Sequence, residues 1–401
     1  MVMTAPGQNW SMTAALGVLL ALPSAQAEPT PEELAQWVRH LSHEEYARRE
    51  AAVKNLGHAG MAAFPLVLEA AMGGDPEGEM RAGRVLVILA DAFEPGVDEA
   101  MLRELEARRE SSDPRIAKRA EVLIEMMTGA ARNCSAAHLS ELGLEIGPNA
   151  EKVTSLRLGE DWEGKDDDLR HLIRFPEIAT LNLSKTDRIT DEALKILPRL
   201  PNLEKLYLGG TSIEGPGLIH LKDVPTLKYI SFQHLGIGNA EAVHVAPLVG
   251  LEHLGFDYTK VQDEALVHVT NLKALQTLWL NGAEIDGPGL LHLKELPNLN
   301  KLVLAKAEFD DVGMASLAQL TQIKHLGLDD TKITDEGAKH LASLVNLEKL
   351  WLNRTALSDA SIPVLAKLTK LEKLYVPGCK ITPEGIAKLQ ELLPTCEITS
   401  E

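Results

Sequence analysis

From Val153 onward one spacing of apolar positions recurs. It begins at Val153, Ile178, Leu203, Leu227, Leu251, Leu275, Leu299, Ile323, Leu347 and Leu371; the first two intervals are 25 residues and every later one is 24. Each start opens the same phrase, as in Leu203-x-x-Leu206-x-Leu208, Leu275-x-x-Leu278-x-Leu280 and Leu347-x-x-Leu350-x-Leu352. On an extended chain, side chains alternate between two faces, so the leucines share one face and the residues between them the other. The pattern predicts a short parallel strand in every repeat. The remainder of each repeat must return the chain, and it reads as a turn, a cap and a short helix. Thr190, Thr334, Ser358 and Thr382 are the expected N-caps, with Pro383 suited to a first helical position. One such unit cannot bury its own apolar face, so stacking must supply the core. Ten strands at about 4.8 Å spacing make a sheet roughly 43 Å across.

Residues 31–128 follow a different period. Thr30 and Pro31 open a first helix, and the segment from His43 to Phe93 carries apolar residues at helical spacing, punctuated by Gly57, Gly60, Gly73-Gly74 and Asp75-Pro76. A second cycle runs through Met101–Arg109, Asp113-Pro114 and Ile116–Met127. Basic residues change type across the chain: residues 28–150 hold 11 arginines and 2 lysines, whereas 151–401 hold 6 arginines and 21 lysines. That switch places a boundary near residues 130–150, with Gly129-Ala130-Ala131-Arg132-Asn133 as the expected linker. Cys134–Gly147 reads as a degenerate first repeat, a helix then a strand. At the other end, Pro383–Leu393 should be a helix, and Cys396-Glu397-Ile398 a final edge strand.

These phrases resemble known repeat families. The ten recurrences are similar to leucine-rich repeats, whose period is 20–29 residues. The stretches LGLDDTKITDEGAKHL and LEKLYVPGCKITPEGIAKLQ resemble the bacterial Thr-x-Ile-Thr-Asp-x-Gly-Leu variety. EEYARREAAVKNLG, MAAFPLVLEAA and DPRIAKRAEVLIEMM resemble HEAT-type helical pairs. The resemblance implies a helical HEAT-like domain at 28–132 and an α/β leucine-rich-repeat solenoid with terminal caps at 133–401. Better-known members place Asn after the strand. Here that column holds Thr186, Thr211, Leu235, Thr259, Ala283, Ala307, Thr331, Thr355 and Cys379. A Thr hydroxyl can satisfy turn backbone but Leu235, Ala283 and Ala307 cannot, so looser turns are expected there.

The first 27 residues carry no charge. Ala14–Leu22 is an unbroken apolar run, followed by Pro23 and by Ala25-Gln26-Ala27 ahead of Glu28. This resembles a secretory signal peptide at 1–27, although no Lys or Arg precedes the run. Nine apolar residues are too few to span a bilayer, which needs about 20. A periplasmic or secreted protein is therefore expected, with no transmembrane segment. The formal net charge of −18 argues against nucleic acid, which needs a basic footprint. Three cysteines in 401 residues exclude a disulfide-dense scaffold, and free thiols are expected.

No catalytic or cofactor motif is present: no Gly-rich phosphate loop, no Gly-x-Ser-x-Gly, no His-Glu-x-x-His and no Cys-x-x-Cys. A non-enzymatic protein without cofactor or metal is expected. His220, His244, His268, His292 and His340 fall at multiples of 24 residues, yet lie on the return segment away from its leucines. They are read as a repeat feature rather than metal ligands. Asp166-Asp167-Asp168, Asp310-Asp311 and Asp329-Asp330 are read as solvated turns, because none carries a calcium-loop pattern.

The outward strand positions are more selective. Aromatics make up 4% of the chain, yet Tyr207, Trp279, Trp351 and Tyr375 occupy one outward column, joined by Tyr229 and Tyr258 at other outward positions. A second column is basic, with Lys205, His253, Lys301, His325, Lys349 and Lys373. A third is polar or acidic, with Gln233, Asp257, Asn281, Asp329 and Asn353. Exposed aromatics beside charge compose a recognition surface. The expected function is binding of a protein or peptide ligand on the concave face. The expected ligand-binding residues are Tyr207, Tyr229, Tyr258, Trp279, Trp351, Tyr375, Lys205, Lys349, Lys373, Asp257, Asp329 and Asn353. The alternative is a glycan ligand, since aromatic rings also stack on sugar faces.

Overall fold

The structure, a computed structural model, describes residues 29–73, 75–92, 97–144, 146 and 152–400. The apolar leader and its cleavage pattern lie outside the described residues. Two compact units divide between Met127 and Thr128. Among the described residues no helix is long and apolar enough to cross a membrane.

The N-terminal unit is helical: α1 (Pro31–His40), α2 (Tyr46–His58), α3 (Phe64–Ala71), α4 (Pro76–Ala92), α5 (Val97–Arg109) and the beginning of α6 (Pro114–Glu141). The predicted cap holds at α1. The Thr30 hydroxyl accepts from the Glu33 amide, and the Glu33 carboxylate accepts from the Thr30 amide at 2.8 Å, a capping box. Both Asp-Pro junctions open helices. Asp75 accepts from the Gly78 amide at 2.9 Å and Asp113 from the Arg115 amide at 2.8 Å, each placing a carboxylate at the positive helix end. Leu56, Val67, Val85, Leu86, Leu89 and Leu105 are fully buried within this unit. Its arginines reach helix-end carbonyls. Arg81 donates to Leu41 O at 2.8 Å, and Arg119 to Ala71 O at 3.1 Å. These are backbone acceptors that a helix leaves open in its last turn.

The sequence-based linker is corrected by α6. Residues 129–133 continue its helix instead of breaking it. Gly129 is the only weak former in that stretch; a single helical Gly costs about 1 kcal/mol against Ala, too little to end a long helix. Cys134–Glu141 is the last part of the same helix, and no strand occurs among described residues 142–146. The helix of the expected degenerate first repeat is thus the end of α6, and residues 145 and 147 of its expected strand lie outside the described residues.

The second unit contains eleven strands in one parallel sheet, ordered strictly along the chain. They are β1 (Ser155–Arg157), β2 (Thr180–Asn182), β3 (Lys205–Tyr207), β4 (Tyr229–Ser231), β5 (His253–Gly255), β6 (Thr277–Trp279), β7 (Lys301–Val303), β8 (His325–Gly327), β9 (Lys349–Trp351), β10 (Lys373–Tyr375) and β11 (Glu397–Thr399). The first ten come from the ten recurrences, and the eleventh is the expected edge strand. Register follows the period: Leu206 pairs with Ile230, Leu278 with Leu302 and Leu350 with Leu374. From β1 to β10 each middle residue is buried and its two neighbours stand on the other face; in β11 the middle residue, Ile398, is only partly buried.

The return segments are mostly 3-10 rather than α-helical, for example Asp166–Arg174, Asp191–Arg199, Pro216–Asp223, Asp263–Val269 and Pro288–Glu295. A 3-10 helix rises about 2.0 Å per residue against 1.5 Å for α, so it spans the layer with fewer residues. Short α turns occur as well, at Asn239–Ala242, Gly313–Leu317, Asp335–Ala338 and Ile362–Leu365. The last helix, Pro383–Leu392, is α. The leucines of sheet and return segments merge into one continuous buried core from Leu139 to Cys396.

Candidate functional site

The sheet surface is built by the turns at both ends of each strand. After each strand from β2 to β10, one residue adopts the left-handed conformation. They are Lys185, Gly210, His234, Tyr258, Gly282, Lys306, Asp330, Arg354 and Gly378, with φ between 54° and 75°. This column is periodic in space but not in residue type, so residue spacing alone does not reveal it. It corrects the placement of Tyr258. That residue stands in the turn after β5 rather than on a strand, with its ring stacked on His234 at 4.7 Å and 13°. It remains 39% exposed, at the rim of the sheet.

The threonine column works as the residue chemistry suggests. Thr211, Thr259, Thr331 and Thr355 hydroxyls each donate to the carbonyl three residues earlier, at 2.7–2.8 Å. The looser turns expected at Leu235, Ala283 and Ala307 are not seen. Their amides close the same turn at 3.0, 3.2 and 3.1 Å, against 3.3 Å at Thr211 and Thr259. Backbone closure does not need the hydroxyl, and burying an apolar side chain there leaves no extra polar group unpaired.

A stronger ladder runs at the start of the return segments. Asp166, Asp311, Asp335 and Asp359 each accept from both the amide and the hydroxyl of the cap residue one repeat onward: Thr190, Thr334, Ser358 and Thr382. Asp191 and Asp263 accept instead from the amides around Gly215-Pro216-Gly217 and Gly287-Pro288-Gly289. The glycine of the motif follows from this ladder. A Cβ at Gly337 or Gly385 would collide with the Asp311 or Asp359 carboxylate.

The polar column beside the aromatics is engaged in a similar way. Asp257 accepts from the Asn281 amide at 2.9 Å, Asn281 from Ala305 at 3.0 Å and Asp329 from Asn353 at 2.7 Å. Asp257, Asp329 and Asn353, expected to face a ligand, are thus half-buried turn residues, and two of them hold the next repeat's backbone. Burial pushes the Asp257 and Asp329 carboxyls above the usual carboxylate range, against the pull of those same amides. Asn353 Oδ1 is buried without a partner. The residue one repeat onward is Pro377, which has no amide hydrogen to give.

Three of the aromatics gather at one end of the sheet. Tyr207 and Tyr229 lie 4.6 Å apart between ring centroids, and Trp279 lies 5.9 Å from Tyr229 and 6.1 Å from His253. Gly255, between Ser231 and Trp279 in register, leaves room for Tyr229 to reach across β5. Lys301 Nζ sits over the Trp279 ring at 5.6 Å, a cation–π contact. Burial, with Tyr207 and Asp257 nearby, pushes the Tyr229 phenol up to about 12. A second group lies toward the C-terminus, where Trp351 and Tyr375 are parallel within 2° at 5.6 Å. Between the groups, Val303 and Gly327 continue the same row.

The basic column is partly free. Lys373 pairs with Glu397 at 2.9 Å. Among the described residues no ion pair engages Lys205, Lys301 or Lys349. His253 is held below its ordinary pKa by burial, with Lys205 and Lys301 adding to the effect; for His325 burial is again the first cause and Lys349 the next.

Two other groupings have the residue types of chemistry. Ser135 Oγ meets His171 Nδ1 at 3.0 Å, and His138 Nε2 meets Asp168 Oδ1 at 2.9 Å, the two rings 4.4 Å apart. Serine and aspartate thus address different imidazoles, and Ser135 is 4% exposed, so there is no relay to an accessible nucleophile. The set fastens the end of α6 to the first return segment, a role that sequence spacing did not reveal. The histidine ladder on the return segments is partly exposed, and no trio of His, Cys, Asp or Glu among the described residues is placed to hold a metal. Cys134, Cys379 and Cys396 form no disulfide; burial pushes the Cys396 thiol up to about 11, with Glu397 adding to it.

No family model and no curated protein matches the sequence. Among solved structures, an internalin (inlF) from Listeria monocytogenes is similar at 18% identity and TM-score 0.42, over 68% of this chain and 94% of that one. An internalin C2 (inlC2) from the same organism is similar at 25% identity and TM-score 0.40, over 56% of this chain and 87% of that one. A leucine-rich-repeat protein of Leptospira interrogans is similar at 19% identity and TM-score 0.29, over 57% and 74%. With one three-residue parallel strand for each recurrence and leucines turned into a shared core, the chain is a leucine-rich-repeat solenoid preceded by a helical domain.

Proposed function

We propose that this chain is an exported, non-catalytic recognition protein that binds a protein or peptide on the concave face of its sheet. The observation carrying this reading is the concentration of aromatics there. Tyr207, Tyr229, Trp279, Trp351 and Tyr375 all occupy outward strand positions in a chain with only five tyrosines and five tryptophans. Half-buried rings on a rigid sheet supply contact area at little cost in side-chain entropy. Tyr258 and the free lysines extend the surface. Asp257 and Asp329 contribute by fixing the turns rather than by meeting the ligand.

A pull-down from envelope extract of the source cells tests this, comparing the parent with a Trp279→Ala/Trp351→Ala variant. Loss of a captured protein from the variant supports the reading. Unchanged capture moves attention to the helical domain. A glycan ligand is the second reading, favoured by the flat Trp351–Tyr375 pair; competition by soluble polysaccharide would identify it. Export is tested by N-terminal sequencing of the mature protein. A start at Glu28 supports it, and an intact Met1 leader on cytosolic protein rejects it.

A further inference from the structure

The sheet face separates charge in a way the whole chain does not. The chain is acidic, with 58 Asp and Glu against 40 Lys and Arg. Yet the two outward residues of every strand from β1 to β10 include no carboxylate; they include Arg157, Lys205, Lys301, Lys349 and Lys373. The first acid appears at Glu397 on the edge strand, and it pairs with Lys373. Carboxylates stand at the strand entries as Glu204, Glu252, Glu348 and Glu372; Lys228 and Lys324 engage Glu204 and Glu348, each at 2.7 Å, and the Gln276 side-chain amide donates to Glu252 at 3.1 Å. At β6 and β7 the entry residues are the neutral Gln276 and Asn300. Positive charge is therefore least compensated around Lys301.

That same place has a distinctive shape. The third strand positions read Trp279, Val303, Gly327, Trp351 in register. Three strand spacings separate the two indoles at the backbone, about 14 Å. The two residues between them bring only one isopropyl group and no further side chain. That isopropyl leans over the neighbouring strand, since a Cβ on Gly327 would meet Val303 Cγ1 at 2.7 Å. An apolar floor thus lies between two indole walls. Alongside it, in the first strand positions, run Lys301, His325 and Lys349. Tyr375 backs one wall, and Tyr229 with His253 backs the other.

We infer that this floor and its cationic border take an acidic peptide segment, with one apolar side chain seated between Trp279 and Trp351 and an adjacent carboxylate on Lys301 or Lys349. The inference rests on the concave-face reading and adds the partner's chemistry to it. A basic peptide would meet the free lysines as like charges. A neutral one would leave them with no new partner in place of water. An acidic segment complements a strand face whose outward positions from β1 to β10 carry lysines and no carboxylate.

The test is selection of a random displayed peptide library on the immobilised full chain, followed by titration of selected peptides. Enrichment of Asp or Glu beside an apolar residue is expected. So is affinity about tenfold weaker for Lys301→Gln/Lys349→Gln, and falling as salt is raised from about 0.05 to 0.3 M. Circular dichroism of the variant should match the parent, because neither lysine is in an internal ion pair. Neutral or basic peptides that still require Trp351 would overturn the inference and leave the concave-face reading standing. Selected peptides indifferent to Trp279→Ala/Trp351→Ala would overturn both.

Discussion

The two units differ in what their cations reach beyond the surface ion pairs that both contain, and the basic residue changes from arginine to lysine between them. In the helical unit guanidinium groups reach backbone carbonyls: Arg81 and Arg119 those of Leu41 and Ala71 at helix ends, and Arg49 those of His43 and Glu44 in the connection ahead of α2. A forked, planar donor set suits several acceptors at once. In the repeat unit the lysines pair with a carboxylate one repeat away: Lys228 with Glu204, Lys324 with Glu348, Lys332 with Glu308 and Lys373 with Glu397. A point charge on a flexible stem is enough for an exposed partner at a fixed distance. Order in the repeats comes from the aspartates, which accept from the backbone of the following repeat.

The largest test of this contrast is Asp311→Ala. It strips a charged acceptor from the Thr334 amide and hydroxyl, at 2.7 and 2.6 Å. A loss of about 2–4 kcal/mol is expected from the denaturant midpoint of the repeat unit, with hydrogen exchange rising first near Thr334. A midpoint within 0.5 kcal/mol of the parent would show that the aspartate ladder is ornamental. Arg81→Lys comes next. Its side chain is 11% exposed and bridges Leu41 O and Glu77, and a lysine cannot make both bonds; about 1–2 kcal/mol should be lost, confined to the helical unit.

A smaller effect concerns acid. Burial holds His171 down to about 4, with His138, Arg170 and Arg174 reinforcing it and Asp168 opposing it. Because the folded value lies below the unfolded one near 6.5, the unfolded chain binds more protons between the two. Stability from this group is full above about pH 6.5 and is lost as pH falls toward 4. Allowing for solvent screening of a partly exposed ring, about 1 kcal/mol should disappear over that window. Thermal melts of His171→Gln against the parent would read it, and parallel pH profiles for the two proteins would reject it. The smallest change is Lys228→Ala, where an exposed pair is removed and the same denaturant assay should show a midpoint indistinguishable from the parent.

Much of the fold was legible because a period of 24 in sequence is a stack in space. Leu206, Leu278 and Leu350 could be assigned to the core, and their strands to neighbours, before any coordinates existed. The caps at Thr30, Thr190, Thr334, Ser358 and Thr382 followed from short hydroxyl side chains ahead of helical segments, and each accepts the amide expected of a cap. The linker at 129–133 was misread because small residues mark both breaks and helices, and only the continuous backbone of α6 distinguishes them. The return segments were legible as short helices but not as 3-10 or α, because residue type does not discriminate the two windings.

The candidate site divides along the same line. The sequence by itself determined that Trp279, Trp351, Tyr207 and Tyr375 leave the core side of the sheet, because alternation on a strand is a local property. It also determined the basic column beside them. Only the tertiary structure decided that Asp257 and Asp329 face the next repeat's amides, that Tyr258 stands on a left-handed turn, and that Val303 and Gly327 open a floor between two indoles. A polar side chain takes the partner with the best geometry within reach. For these residues that partner sits one repeat away, and it comes within reach only when the solenoid has closed its stack.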